Sequence, residues 1–432
     1  MSNLNLQKLS ELCTLYSGGT PSTSNESYWN GNLNWMSSGE TSNKLIYGTK
    51  LKITEKGVAE SSTRLAHSGD TVVATAGEGK TRGQTSYLLT DTYVNQSIVV
   101  LKADKTKIDN KFLFYALSNS YNRMRALSDA AGIRGSLPCK LLNNFEINTF
   151  NLDIENKIGQ FLFNIDLKIE NNNKINAELE SLAKTIYDYW FLQFEFPNEE
   201  GKPYKSSGGK MVWNEELKRE IPEGWKLGVI SDFIKEEKGG DWGKEAQDEK
   251  YKIKVNCIRG ADFPAMTGNE NLKAPTRFIL EKNKYKVLSD GDVIVEISGG
   301  SPTQSTGRIC YINSNTLNRF SCDVITSNFC RAFSLKNKSY LYWFYLMWQK
   351  LLVSNVFFNF EGKTTGIKNL QFDVLTKGYK ICIPPEQIIT KFHNTVEDFY
   401  LKIQKNQENN QELSFLRDFL LPMLMNGQIT FG

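Results

Sequence analysis

From Ile154 to about Trp190 the apolar residues Leu162, Ile165, Ile169, Leu179 and Ile186 recur at intervals built from threes and fours. That spacing makes the seam of a long amphipathic helix. No proline or glycine interrupts it after Gly159. The same seam returns 234 residues later, pairing Ile154 with Ile388, Ile158 with Phe392, Leu162 with Val396, Ile165 with Phe399 and Ile169 with Ile403. Leu179/Leu413, Leu182/Leu416 and Ile186/Leu420 continue it, and two positions are polar in both copies, Asn172/Asn406 and Asn176/Asn410. Asparagine on an apolar seam costs stability but fixes register and partner. A helix of about 35 residues is roughly 50 Å long, which outruns a small domain. The spacing therefore predicts two long helices that pair with each other, asparagine facing asparagine.

At 432 residues the chain is too long for one core, and two or three domains are expected. Lysine and arginine total 52 against 48 acidic residues, a net charge of +4, which permits nucleic acid without demanding it. The seven cysteines are scattered, none in a Cys-x-x-Cys pair, and there are two histidines, so no zinc site is expected. Free thiols fit a reducing cytoplasm. The start, MSNLNLQKLS, lacks a basic stretch followed by an apolar run, so no signal peptide is expected. The most apolar run, Tyr340 to Trp348, is too short to span a bilayer and reads as a buried helix, with no membrane partner.

In chain order, residues 1–150 alternate short β-rich runs (Val72–Ala74, Tyr87–Leu89, Ser97–Leu101) with turn clusters, then a helix over Lys111–Ser118 and a strand over Asn143–Asn148. A first long helix fills 151–195. Residues 196–225, rich in Gly, Pro, Ser and charge, read as a linker ordered against its neighbours, because Trp213 and Trp225 would otherwise lie in water. Residues 226–383 repeat the first lobe, and 384–432, opening on Pro384-Pro385-Glu386, form the second long helix, ending near Pro422.

The repeat keeps register. Residues 9–19 match 230–240 and Gly39 matches Gly260 at an offset of 221; Gly69-Asp70 matches Gly291-Asp292 at 222; Gly132-Ile133-Arg134 matches Gly366-Ile367-Lys368 at 234. Insertions thus fall between residues 70 and 132, while the helices keep their length. The fold class follows: α+β, with two similar globular lobes joined by two long helices in an antiparallel coiled coil of internal pseudo-two-fold symmetry. Two lobes on a rigid spacer suit a ligand with two separated, two-fold related sites, and duplex DNA is one. Half-sites about 12–14 base pairs apart would lie ~40–48 Å from centre to centre, near the helix length.

Particular residues carry a resemblance. Ser17-Gly18-Gly19-Thr20-Pro21-Ser22, then Tyr28-Trp29-Asn30-Gly31 and Trp35, resemble the opening of a target recognition domain of the DNA-specificity subunits of type I restriction-modification systems. Gly69-Asp70, Asn95-Gln96, the Phe112–Leu117 helix, Gly132-Ile133-Arg134, the 196–225 linker and Pro384-Pro385-Glu386-Gln387 are similar to that family in the same order. The second lobe departs from the pattern after Gly239-Gly240, with Asp241-Trp242-Gly243-Lys244. The resemblance implies that each lobe reads one half of a bipartite target in double-stranded DNA. It implies that the helices set the gap and dock two modification (methyltransferase) subunits, that restriction (translocase and nuclease) subunits join them, and that the chain catalyses nothing and carries no cofactor. A coiled-coil protein-interaction scaffold without a DNA role is the alternative.

Chemistry in the residues is consistent with a binding role. The sole Pro-Pro, Pro384-Pro385, lies between Ile383 and Glu386, unlike the Asp/Asn-Pro-Pro-Tyr/Phe motif that adenine methylation needs. Ala74 to Thr81 fits a loose phosphate-loop pattern, but Arg82-Gly83-Gln84-Thr85 leads back into a strand, leaving no helix N-terminus to meet a phosphate. Candidate DNA contacts are Arg64, Lys80, Arg82, Gln84 and Arg134 in the first lobe, and Lys244, Arg259, Arg277, Gln304, Arg308, Lys363 and Lys368 in the second. Arginine can take guanine in a bidentate way, lysine phosphate, and glutamine adenine; a solvated surface charge is the competing reading for each. Trp29 and Trp35 read as core.

Overall fold

The computed structural model describes residues 4–77, 79–130, 135–267, 272–299, 305–363 and 367–429. The chain divides into two compact units, Met1–Lys168 with Leu413–Gly432, and Ile169–Glu412.

In the first unit, Cys13–Ser17, Ile98–Ala103, Thr71–Ala74, Thr85–Leu88 and Leu45–Ile46 line up in that order as one sheet. Its middle strands are buried along their length, which is why Val72-Val73-Ala74 and Ile98–Leu101 read as unbroken apolar runs. Leu51–Ile53, Trp29–Met36, Thr92–Val94 and Arg64–Ala66 form a second sheet, in which Trp29–Met36 and Thr92–Val94 run parallel. Asn5–Lys8 pairs antiparallel with Glu146–Thr149, the strand that leads into the first long helix. The helix Asn110–Asn119 starts on Asp109, whose Oδ1 accepts from the backbone of Lys111 and Phe112 at 2.9 Å each.

The second unit repeats this plan. Ile234–Gly239, Cys330–Leu335, Asp292–Glu296 and Ile309–Tyr311 form the first sheet. Thr276–Leu280, Tyr251–Ile258 and Val324–Thr326 form the second, again with one parallel pair. Lys226–Val229 pairs with Lys380–Ile383 before the second long helix. Asp70 accepts from the His67 backbone at 2.9 Å, and Asp292 accepts from Ser289 at 2.7 Å, so the repeated Gly-Asp serves the same turn twice. The apolar run after Tyr340 lies in the helix Leu341–Val353, buried through Trp348, and among the described residues no helix is long and apolar enough to cross a membrane. All seven cysteines are free thiols.

The long helices are Leu152–Tyr187, continued by a π-helical turn over Asp188–Leu192, and Glu386–Met425. Within the second unit they run antiparallel. Asn172 donates to Asn410 at 2.8 Å, Asn406 to Asn176 at 2.8 Å, and Asn410 also to Asn173 at 2.7 Å. All four seam asparagines are buried, as are Leu162, Ile165, Val396 and Ile403, while Ile169, Leu179, Phe399 and Leu413 are half-buried.

Two expectations are corrected. Leu182 and Leu416 are 45% and 42% exposed, and the next residues, Ala183 and Arg417, are buried in their place. Ala183 and Arg417 stand three heptads after Leu162 and Val396, so the buried face keeps the seven-residue repeat that Leu182 and Leu416 miss by one position. In the linker, Trp225 packs edge-on to Phe194 at 5.2 Å, but Trp213 sits on the hairpin Met211–Asn214/Arg219–Pro222 and is 57% exposed. The second helix ends at Met425, with Pro422 in its last turn, as expected.

Candidate nucleic-acid interface

The repeated Gly-Gly motif makes a corner in each lobe. A Cβ on Gly18 would lie 1.9 Å from the Val94 carbonyl oxygen, and one on Gly240 would lie 2.0 Å from that of Ser327. Only glycine permits so close an approach. The Gly-Gly corner is thereby pressed against the loop that carries Asn95-Gln96 in the first lobe and Asn328-Phe329 in the second. Thr20 donates to Gln96 at 2.5 Å, and the Trp35 indole to Gly19 at 3.3 Å. In the second lobe the segment after the central strand, Ser298–Gly299, pairs with Lys368–Asn369; in the first, Ala76 bridges Ser136. The second-lobe corner opens into a cleft of about 600 Å³ lined by Trp242, Arg259, Glu296, Ser298, Phe329 and Ile367, among others.

The candidate contacts fall into distinct environments. Arg64 is exposed and stacks over Tyr16, its guanidinium 4.3 Å from the ring centroid. Lys80 is exposed at the tip of a hairpin, where its backbone carbonyl accepts from Tyr121 at 2.8 Å. Ala74 and Gln84 close that hairpin, with Thr85 resuming the antiparallel strand, so no helix follows the glycine-rich run. Gln84 is half-buried and accepts from Thr41 at 3.2 Å. Arg82 is turned inward instead of presented on the loop. It is 3% exposed and donates to Ser128 at 2.7 Å and to Asp129 at 2.8 Å, a structural tie between hairpin and helix. Arg134, Gln304 and the Lys363 side chain lie outside the described residues.

In the second lobe the cations are neutralised at home. Arg259 meets Asp262 through two hydrogen bonds of 2.9 Å, and Arg308 grips Glu296 at 2.8 and 2.6 Å. Arg277, 9% exposed, pairs with Glu245 at 2.9 Å and lies 4.3 Å over the Trp242 ring. Lys368 pairs with Glu361 at 3.3 Å, and exposed Lys244 with Asp248 at 2.7 Å. Trp35 is buried, and half-buried Trp29 stands edge-on to it at 5.0 Å. Among the described residues no cluster of His, Cys, Asp and Glu has a metal-binding arrangement.

The family model for the type I restriction modification DNA specificity domain matches this chain twice, over residues 1–181 and 222–414. The chain belongs to the type I DNA-specificity family. It is 28% identical over 450 residues to the type I restriction enzyme MjaIX specificity subunit of Methanocaldococcus jannaschii, covering 98% of this chain and 93% of that one. It is 25% identical over 197 residues to the EcoR124I/EcoR124II specificity subunit of Escherichia coli, covering 44% and 48%. The crystal structure of the type I S subunit from M. genitalium has the same fold, with a TM-score of 0.61 at 16% identity over 98% of this chain and 96% of that one.

The type I specificity family's two domain matches coincide with the two structural repeats, each taking one lobe and part of the long helix that follows. Sequence reasoning missed the acidic partners of the second-lobe arginines. Only Asp262, three residues after Arg259, was within local reach; Glu296 lies 12 residues before Arg308, and a sheet brings the two together. Trp242 and Phe329, 38% and 54% exposed at the cleft, were also missed; the signal was the break from the first-lobe pattern after Gly239-Gly240.

Proposed function

We propose that this chain is the target-reading subunit of a type I restriction-modification complex, each lobe reading one half of a split sequence in double-stranded DNA. The observation that carries the reading is the duplication itself: two copies of one lobe, sharing the order of four strands in one sheet and three in the other, with different residues at the Gly-Gly corner. Thr20-Pro21-Ser22 follows in one and Asp241-Trp242-Gly243 in the other. A common scaffold with divergent corners suits two independently chosen half-sites. The paired helices hold the gap between half-sites constant and receive two modification subunits, which restriction subunits join in the cytoplasm. Methyl transfer and strand cleavage belong to those partners, and this chain does no chemistry.

DNA contacts are assigned to Arg64, Lys80, Gln84 and Arg134 in the first lobe and to Lys244, Gln304, Lys363 and Lys368 in the second. Arg259 is held as part of the cleft wall, Arg277 and Arg308 as supports that pair with acids, and Arg82 is withdrawn from the contact set. Mapping methylated adenines in a host genome with and without the gene tests this reading. A split motif with a constant gap is expected to vanish with the gene. Exchanging only the corner of one lobe for that of another family member should alter one half of the motif. An unchanged motif in both experiments would overturn the reading.

A further inference from the structure

The 234-residue correspondence allows each lobe's seat on the helices to be compared position by position. Both seats keep an apolar centre: Ile158 and Leu162 under the first lobe, Phe392 and Val396 under the second, all fully buried. The positions around it differ in kind. Glu155, fully buried, accepts from the backbone of Phe150 at 3.0 Å and of Asp109 at 3.1 Å; its counterpart is Ile389, buried in an apolar cluster. Asp166 accepts from the Tyr115 hydroxyl at 2.5 Å and from buried Arg417 of the other long helix. Its counterpart is Tyr400, stacked on Tyr342 at 4.3 Å, and the counterpart of Arg417 is Ala183.

The fourth difference is steric. A Cβ on Gly159 would stand 2.7 Å from both Asp109 Oδ1 and the Phe112 backbone nitrogen, so the first lobe's helix needs a bare backbone beneath it. The second seat has His393 there, stacked under Tyr342 at 5.0 Å.

We propose that these four positions form a key that admits each lobe to its own seat and rejects the other. The first seat (Glu155, Gly159, Asp166, Arg417) fits a lobe that brings backbone N–H groups and a tyrosine hydroxyl. The second (Ile389, His393, Tyr400, Ala183) fits one that brings aromatic faces. The matched seam asparagines cannot discriminate, since both halves carry them. The key would thereby fix which half-site lies at which end of the target, a consequence that rests on the proposed function, whereas the key itself does not.

The test crosses lobe with seat in the full chain. In one pair of proteins the second seat holds its own lobe, with and without the conversion Ile389→Glu, His393→Gly, Tyr400→Asp and Ala183→Arg. In the other pair residues 226–384 are replaced by residues 5–150, so that Phe150 brings the N–H that Pro384 lacks, again with and without that conversion. Melting temperature and the yield of soluble monomer are read. The conversion should lower the melting temperature of the parent by about 10 °C or more and raise that of the chimera by a similar amount. A conversion that shifts both in one direction, shifts neither, or leaves the chimera insoluble would overturn the key. None of these readouts involves DNA, so failure of the key and failure of the DNA-reading role are separable.

Discussion

Arg417 and Asp166 show how a charged pair is tolerated deep in a helix seam: each is 8% or less exposed, and the Tyr115 hydroxyl occupies a further lone pair of the carboxylate. Removing one partner strands the other in a low-dielectric site, so Asp166→Ala should cost about 3–5 kcal/mol in urea unfolding. Asp166→Ala with Arg417→Ala together should cost clearly less than the two singles added; strict additivity would mean that the pair is not coupled. Glu155 poses a different problem. Burial pushes its carboxyl up to about 7, against the opposing pull of two backbone N–H groups. A raised carboxyl pKa means that the folded state binds more protons than the unfolded chain between about 4.5 and 7. Stability of the first unit should therefore fall as pH rises through that window and level off above it. Melting temperature measured from pH 4.5 to 8 should show this decline, and Glu155→Leu should flatten it. At this scale the sequence was a poor guide: Lys80 and Arg82 look alike in the chain, yet one points to solvent and the other braces Asp129. The difference is set by a helix more than forty residues away, which no local pattern reveals.

The long helices were far more legible, because a periodic seam is a local property and was written twice. What the leucines hid is that the buried face keeps to sevens through Ala183 and Arg417, leaving Leu182 and Leu416 outside, and the periodicity did not give the partner of each asparagine. The amide ladder makes a sharp prediction. Asn172→Leu leaves the Asn410 carbonyl oxygen buried without its donor, which should cost about 1–3 kcal/mol. Replacing both, Asn172→Leu with Asn410→Leu, removes that buried orphan and adds apolar contact; the bond from Asn410 to Asn173 is lost as well, but Asn173 is only half-buried and its oxygen can reach water. The double variant should be at least as stable as the parent by chemical denaturation. A double variant less stable than either single would show that the ladder contributes more than register. Linker structure was less legible: Trp213 ends on an exposed hairpin face because the adjacent Phe194–Phe196 and Trp225 cluster is complete without it.

For the whole molecule, constant offsets between the halves foretold two like lobes, but not how differently their candidate cations are paired. Among the described residues neither Arg64 nor Lys80 of the first lobe forms an ion pair, whereas Arg259, Arg277, Arg308, Lys368 and Lys244 of the second all do. A cation that already holds a carboxylate releases no net counterion on meeting phosphate unless that pair opens. Salt dependence should accordingly come mainly from the first lobe. With a bipartite duplex titrated across rising potassium chloride, the slope of log K against log salt should shrink by about 0.9 for each phosphate that the protein ceases to neutralise. Lys80→Ala and Arg64→Ala should each reduce the slope by up to that amount and leave the melting temperature unchanged. Arg308→Ala should do the reverse: the slope stays, while the protein loses stability because Glu296, 9% exposed, is left without its guanidinium. If Arg308→Ala instead flattened the slope in a protein of parental stability, the Glu296 pair would be a latch that opens onto DNA, and the second lobe would share the electrostatic load equally.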